Sequence, residues 1–173
     1  MKHANCLQTG SIDIRRFSQT EFRDGMARLG AGVTIVTTDG PAGRTGFSAT
    51  AVCSVTDSPP TLLVCLNRNS SAHSPLIGNL KFCVNVLQSD QSHLCRLFGG
   101  GTPVEKRFLS ATWTLTEGGC PQLEDALVSF DCRVSSIQTH GSHDVILGEV
   151  TSIAVGTSLS SLIYFNRQLH AVV

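Results

Sequence analysis

The chain has 173 residues, the length of one domain, and 41% of them are hydrophobic, which excludes a disordered chain. Thirteen basic residues balance thirteen acidic ones, so the formal charge is zero. The basic residues are scattered and form no stripe, which argues against nucleic acid as a partner.

Residues 1–17 carry no pattern and read as an N-terminal arm ahead of a domain over 18–173. Ser18-Gln19-Thr20-Glu21 is a capping box, and Phe22, Met26 and Leu29 follow as one helical stripe. Gly30 and Gly32 end that helix. Val33 to Thr38 is β-branched throughout and predicts a strand. After the turn Asp39-Gly40-Pro41-Ala42-Gly43, Thr45 to Thr56 predicts a single returning strand, broken by Pro59-Pro60. Further strands are expected at 61–66 and 82–87, with a short helix over 70–79 between them. Gln91 to Phe98 reads as helical, and Gly99-Gly100-Gly101 as a flexible loop. Strands at 112–116, 127–138, 143–155 and 161–165 complete about eight strands and three short helices. Without strict βαβ alternation this is a mainly β chain, an antiparallel barrel or sandwich with helices at its rim.

The seven cysteines are odd in number, and no pair has C-x-x-C spacing. Neither a disulfide framework nor a zinc site is suggested. The first residues hold no apolar run, and no stretch approaches the roughly 18 apolar residues of a membrane span. The expectation is a cytoplasmic protein with reduced thiols, away from membranes. Only 15% of residues are charged, against about 25% in an average domain, which suggests apolar surface hidden in an oligomer.

Several motifs fail on context. Gly30-Ala31-Gly32 follows a helix, precedes a strand and lacks the third glycine of a dinucleotide fingerprint. Gly46-Phe47-Ser48-Ala49-Thr50 lacks the last glycine of a nucleophile elbow. His140-Gly141-Ser142-His143 sits in a turn, where side chains need not converge on a metal.

One combination does point to a ligand. Ser48-Ala49-Thr50-Ala51-Val52-Cys53-Ser54 is a run of small and hydroxyl side chains. Small residues let a flat ligand approach the backbone, and hydroxyls bond ring oxygens or nitrogens. Asn67-Arg68-Asn69-Ser70-Ser71 ends an apolar strand and leads into a helix, an arrangement suited to phosphate. Lys106 and Arg107, after the glycine loop, add charge. By itself such a loop is an ordinary solvated turn; together the features suggest a flat phosphorylated ligand.

These residues resemble a known family. The run Gly32-Val33-Thr34-Ile35-Val36-Thr37-Thr38, then Gly46 to Val55, then Pro59-Pro60-Thr61-Leu62-Leu63-Val64-Cys65-Leu66-Asn67, is similar to the flavin reductase-like family. Phe82 to Leu87, Lys106-Arg107-Phe108, His143 to Val150 and Leu162-Ile163-Tyr164-Phe165 match in order, so the resemblance spans about residues 20–170.

The resemblance implies an FMN-binding split β-barrel, usually a homodimer with flavin sites near the interface. It implies NAD(P)H-dependent reduction of FMN, or of FAD, with reduced flavin passed to a partner monooxygenase or another acceptor. Carried over by position, Ser48, Ala49, Thr50 and Ala51 line the isoalloxazine, with Ser54 and Val55 near it on the same strand. Cys65, Leu66 and Asn67 border the ring and ribityl chain. Arg68, Ser71 and Lys106 lie near the phosphate, and Phe98 and Phe165 are candidate walls. His143 and Tyr164 are expected at the nicotinamide nucleotide. The family's Gly-Asp-His triplet reads Gly141-Ser142-His143 here, and its Tyr-x-x-x-x-Tyr ending keeps Tyr164 but has Leu169. No catalytic side chain and no metal are expected, because the flavin carries the hydride chemistry. The alternatives are a flavoprotein reductase of a Co(II) corrin in cobalamin biosynthesis and a non-catalytic flavin- or haem-binding module. A pyridoxamine-phosphate type of oxidase would need a more basic pocket.

Overall fold

The structure, a computed structural model, describes residues 17–173. All of the expected N-terminal arm but Phe17 lies outside them. Helix α1, Gln19–Ala27, starts at the Ser18 box as expected: the Ser18 hydroxyl accepts from the Glu21 amide, and the Glu21 carboxylate accepts from the Ser18 amide. That hydrogen bond from the Ser18 amide, then the one from its hydroxyl, holds the Glu21 carboxyl below its ordinary pKa. The stripe of Phe22, Met26 and Leu29 does not enter the core; these residues are 48–61% exposed, and only Ala27 of α1 is buried.

Strands β1 (Ala31–Gly32), β2 (Thr34–Thr38), β3 (Thr45–Ala49), β4 (Val52–Asp57) and β5 (Pro60–Asn67) come next. They are followed by α2 (His73–Asn79) and β6 (Lys81–Val86). A 3₁₀ turn (Ser89–Gln91), α3 (Ser92–Phe98) and α4 (Val104–Phe108) precede the strands β7 (Trp113–Leu115) and β8 (Pro121–Leu123). The long hairpin β9 (Val128–His140) and β10 (His143–Val155) leads to β11 (Ser161–Phe165) and β12 (Gln168–Val172). Four of these, β1, α4, β8 and β12, were not anticipated from the sequence. The helix expected at 70–79 begins only at His73.

The main correction concerns the returning strand. Thr45 to Thr56 is not one strand but two, parted at Thr50-Ala51. The seven-stranded antiparallel sheet runs β3-β2-β6-β9-β10-β5-β4. Its two edges, β3 and β4, are joined by only two residues, so the sheet must curl until they approach. No β3–β4 ladder closes the ring, and the barrel is split. Inside it pack Val36, Phe47, Val64, Phe82, Val84 and Ile146, capped by Leu76 of α2. Gly148 makes room for this core: a Cβ there would stand 2.4 Å from the Phe82 ring. A second cluster, with Val33, Ile35, Leu94, Phe98, Phe108 and Leu162, packs α3, α4 and the β1-β11-β12 sheet onto the barrel. Cys83, Cys120 and Cys132 are buried as small core residues, Cys65 and Cys95 half-buried, and Cys53 exposed. No helix among the described residues is long and apolar enough to cross a membrane.

Candidate active site

The break between β3 and β4 builds a cleft. There the chain leaves the sheet, and the Cys65 amide donates to the Ala51 carbonyl at 3.0 Å, pinning the bend to the end of β5. The opening is about 460 Å³. Its walls are Ser48, Ala49, Thr50 and Ala51 from the bend, Cys65, Leu66 and Asn67 from β5, and Phe98, Gly99 and Gly100 from the end of α3. Asn69, Ser70 and Ser71 close one side, and His143 stands at the start of β10, paired in register with Asn67.

Arg107 is the charged anchor of this lining. Helix α4 sets its direction: Val104, Arg107 and Phe108 share a face by their i, i+3, i+4 spacing and turn inward. Lys106, one position earlier, points to solvent. Arg107 is 5% exposed and donates to two carbonyl oxygens, Nε to Thr102 at 2.7 Å and Nη1 to Gly46 at 2.8 Å. Neither partner is a carboxylate, so its positive charge stays uncompensated by them beside the cleft.

The loop 67–72 is internally bonded. The Asn69 amide donates to Asn67 Oδ1, the Ser70 amide to the Asn67 carbonyl, the Ala72 amide to Ser70 Oγ and the His73 amide to the Ser70 carbonyl. The Arg68 amide is used by the Ser142 carbonyl. At the expected anion site the amides of Arg68, Asn69, Ser70, Ala72 and His73 are therefore already taken. What the loop offers a ligand is the side chains of Asn67, Asn69, Ser70 and Ser71.

Beneath the loop lies Asp144, 5% exposed. Its carboxylate accepts from His73 Nε2 at 2.8 Å and from the Thr139 hydroxyl at 2.8 Å, with Arg68 Nε 3.9 Å away. The His73 hydrogen bond, then that of Thr139, lowers its pKa from the ordinary aspartate value. A hydrogen bond of 2.9 Å joins Ser142 Oγ to His143 Nδ1 and fixes the imidazole at the cleft mouth. Burial raises the Cys65 thiol, with Cys53 a smaller cause, and raises that of Cys95, which the Ser48 hydroxyl partly offsets.

The residues expected at a ligand separate into groups. Ser48, Ala49, Thr50, Ala51, Cys65, Leu66, Asn67, Ser71, Phe98 and His143 come together in this cleft. Ser54 lies instead along the barrel seam, and Val55 faces solvent on the opposite side of β4. Arg68 turns to Asp144, and Phe165 is exposed beside His170. Tyr164 lines a neighbouring cleft and faces Leu169 across the β11–β12 hairpin. Sequence reasoning ranked Lys106 above Arg107 because α4 was not recognised; the Val104/Phe108 spacing after Pro103 was the available signal.

The flavin reductase like domain of known proteins matches residues 26–172. The chain belongs to that family. It is 57% identical over 152 residues to the FMN reductase (NADH) RutF 2 of Rhizobium rhizogenes, covering 88% of each chain. It is 53% identical over 154 residues to the FMN reductase (NADH) RutF of Escherichia coli K12, covering 89% of this chain and 94% of that one. Among solved structures, a flavin reductase candidate of Haemophilus somnus superposes with a TM-score of 0.88 at 43% identity, covering 90% of this chain and all of that one. BorF, the flavin reductase component of a bacterial two-component tryptophan halogenase, gives 0.84 at 25% identity over 90% of this chain and 98% of BorF. The family's split barrel is the fold described above.

Proposed function

We infer that this flavin reductase-like protein transfers hydride from NADH to FMN, with residues 18–173 as the catalytic unit. The observation that carries the reading is the cleft at the β3–β4 break. Its volume, about 460 Å³, falls among small-molecule sites of roughly 300–1,000 Å³. Its donor set fits a flavin mononucleotide. Ala49, Ala51, Leu66 and Phe98 give flat apolar walls for a tricyclic ring. Ser48, Thr50 and Asn67 give hydrogen-bond donors for ring and ribityl oxygens. Arg107, with the hydroxyls of Ser70 and Ser71, gives a cation and donors for a phosphate. The relatives named as NADH-dependent FMN reductases support this choice of donor and acceptor.

A flavin held there by Ser48, Thr50, Asn67 and Arg107 would supply the redox chemistry, acceptance of a hydride from NADH with a proton drawn from solvent. The protein binds and orients. The hydroxyls of Ser48 and Thr50 at the bend would donate hydrogen bonds to a reduced, negatively charged ring, and Arg107 adds a fixed positive charge. His143, held by Ser142, stands at the mouth, where the nicotinamide nucleotide must enter.

Thr50, Ala51, Gly99 and Gly100 are all solvent-exposed rim residues, which suits a flavin that exchanges and carries electrons to a partner monooxygenase. The halogenase component BorF offers a parallel for such a division of labour. A groove lined by Val52, Leu62, Val84, Phe130 and Ile153 runs along the barrel seam and supports assembly of two copies. The six cysteines among the described residues are all free, which suits a reducing compartment and supports a cytoplasmic location.

The test is steady-state NADH oxidation by purified protein with FMN, FAD or riboflavin as acceptor. FMN-dependent NADH loss proportional to enzyme, with the lowest KM for FMN, is expected. NADH loss no faster than in enzyme-free controls sinks the reading.

A further inference from the structure

Asp144 is a buried carboxylate that the hydride chemistry does not use. It follows His143 on β10, is 5% exposed and does not line the cleft at the β3–β4 break. Its contacts come from both ends of a stretch that does line it. Asn69, Ser70 and Ser71 are the cleft residues of that stretch. Immediately ahead of them, Arg68 Nε stands 3.9 Å from Asp144 Oδ1. Two residues behind them, His73 opens α2 and donates from Nε2 to Asp144 Oδ2 at 2.8 Å. The remaining contact comes from the barrel. The Thr139 hydroxyl of β9 donates to Oδ1 at 2.8 Å, across the register pair Thr139–Asp144.

A buried carboxylate is costly to desolvate, and even when paired it adds little net stability over an apolar residue. Apolar packing is already in place here, since buried Ala72 and Leu76 seat α2 on the barrel core. What the carboxylate adds is direction. Two hydrogen bonds of 2.8 Å fix the first residue of α2 against the β9–β10 hairpin. The Arg68 amide, donating to the Ser142 carbonyl at 2.9 Å, pins the other end of the stretch to the same hairpin. Residues 69–71 are thus held at both ends to the hairpin that also carries His143.

We propose that Asp144, acting through His73, is a positioning residue for recognition of the flavin phosphate. It touches no ligand itself. The pair sets where residues 69–71 stand over the cleft, and so where the Ser70 and Ser71 hydroxyls can meet a phosphate together with Arg107. Donors that drift from their place lose affinity even when none is removed. Ala49 and Phe98, walls for the ring, belong to β3 and α3 and do not rest on the pair. The proposal rests on the flavin reading above and adds to it the device that separates a phosphorylated flavin from riboflavin.

The test compares wild type with His73→Leu, which removes the donor, and His73→Gln, whose amide N–H can replace that of Nε2. The His73 side chain is 21% exposed, so neither substitution opens the core. Dissociation constants for FMN and riboflavin are read by flavin fluorescence, and the urea midpoint is measured alongside. His73→Leu is expected to weaken FMN about tenfold, because Asp144 loses a partner and the loop loses its anchor. Riboflavin stays within about twofold, and so does kcat at saturating FMN while KM for FMN rises. His73→Gln restores FMN affinity to within about threefold of wild type. A merely structural role would lower the urea midpoint and weaken both flavins alike, or neither, and either result overturns the proposal. Equal wild-type affinity for FMN and riboflavin also overturns it, while leaving the reductase reading intact. A wild-type protein without FMN-dependent NADH oxidation sinks the reductase reading and this one together, before any variant is made.

Discussion

Arg107 donates from Nη1 to the carbonyl oxygen of Gly46 at 2.8 Å, tying α4 to β3 across the wall of the cleft at the β3–β4 break. Gly46 also presses on that wall from behind, since a Cβ there would stand 2.8 Å from Cε1 of Phe98. One backbone position therefore sets both the cation and the aromatic side of the site.

Arg107→Lys tests the cation. A lysine keeps the charge but cannot reproduce the two-carbonyl fork, so its ammonium settles elsewhere. FMN affinity is expected to fall about tenfold, while riboflavin, without a phosphate, binds as before. Fluorescence titration of both flavins reads the difference; equal losses for both contradict a phosphate contact.

Gly46→Ala tests the wall. The added methyl must displace the Phe98 ring within a packed cluster, costing about 1–3 kcal/mol of stability. The urea midpoint and FMN affinity should fall together. Gly25→Ala on α1, where nothing lies within 4 Å of the new Cβ, should leave both unchanged or raise stability slightly.

Asp144 gives the fold a pH dependence of known sign. Its pKa is depressed in the folded protein by the hydrogen bonds from His73 and Thr139. The contribution is fully present above the unfolded value of about 3.9 and is lost as pH falls through the lower folded value. Urea midpoints measured from neutral to strongly acid pH should drop in this window for wild type. Asp144→Asn should be weaker at neutral pH and lack that part of the acid drop; an identical acid profile contradicts the assignment.

The cleft was legible where chemistry is local. The small and hydroxyl run at Ser48–Ala51 and the polar end of β5 at Asn67 converge because β3 and β5 both end at one rim of the barrel. The break at Thr50-Ala51 was not legible, because strand-forming residues continue through it without glycine or proline. Closure of the sheet, not local preference, parts β3 from β4. Arg107 was ranked below Lys106 for a related reason: helical phase, which a run after three glycines does not announce, decides which cation turns inward. The periodicity of Phe22 and Met26 marked one face of α1, but the helix ends at Ala27, before Leu29 and short of the expected stop at Gly30. It did not say what that face meets, and the core lies elsewhere.

Trp113 is the only tryptophan, and its ring centroid is 5.6 Å from that of Phe98, a wall of the cleft. Its emission should quench saturably as FMN binds, with a midpoint shifted to higher FMN in Arg107→Lys. Emission unaffected by FMN at concentrations that support turnover would place the flavin elsewhere.

The most direct test of the central claim is anaerobic mixing of the protein with equimolar FMN and NADH, followed by the visible absorbance of the flavin. The account predicts bleaching whose rate rises in proportion to protein and is reduced in Arg107→Lys at subsaturating FMN. Bleaching no faster than in the mixture of FMN and NADH alone would contradict it.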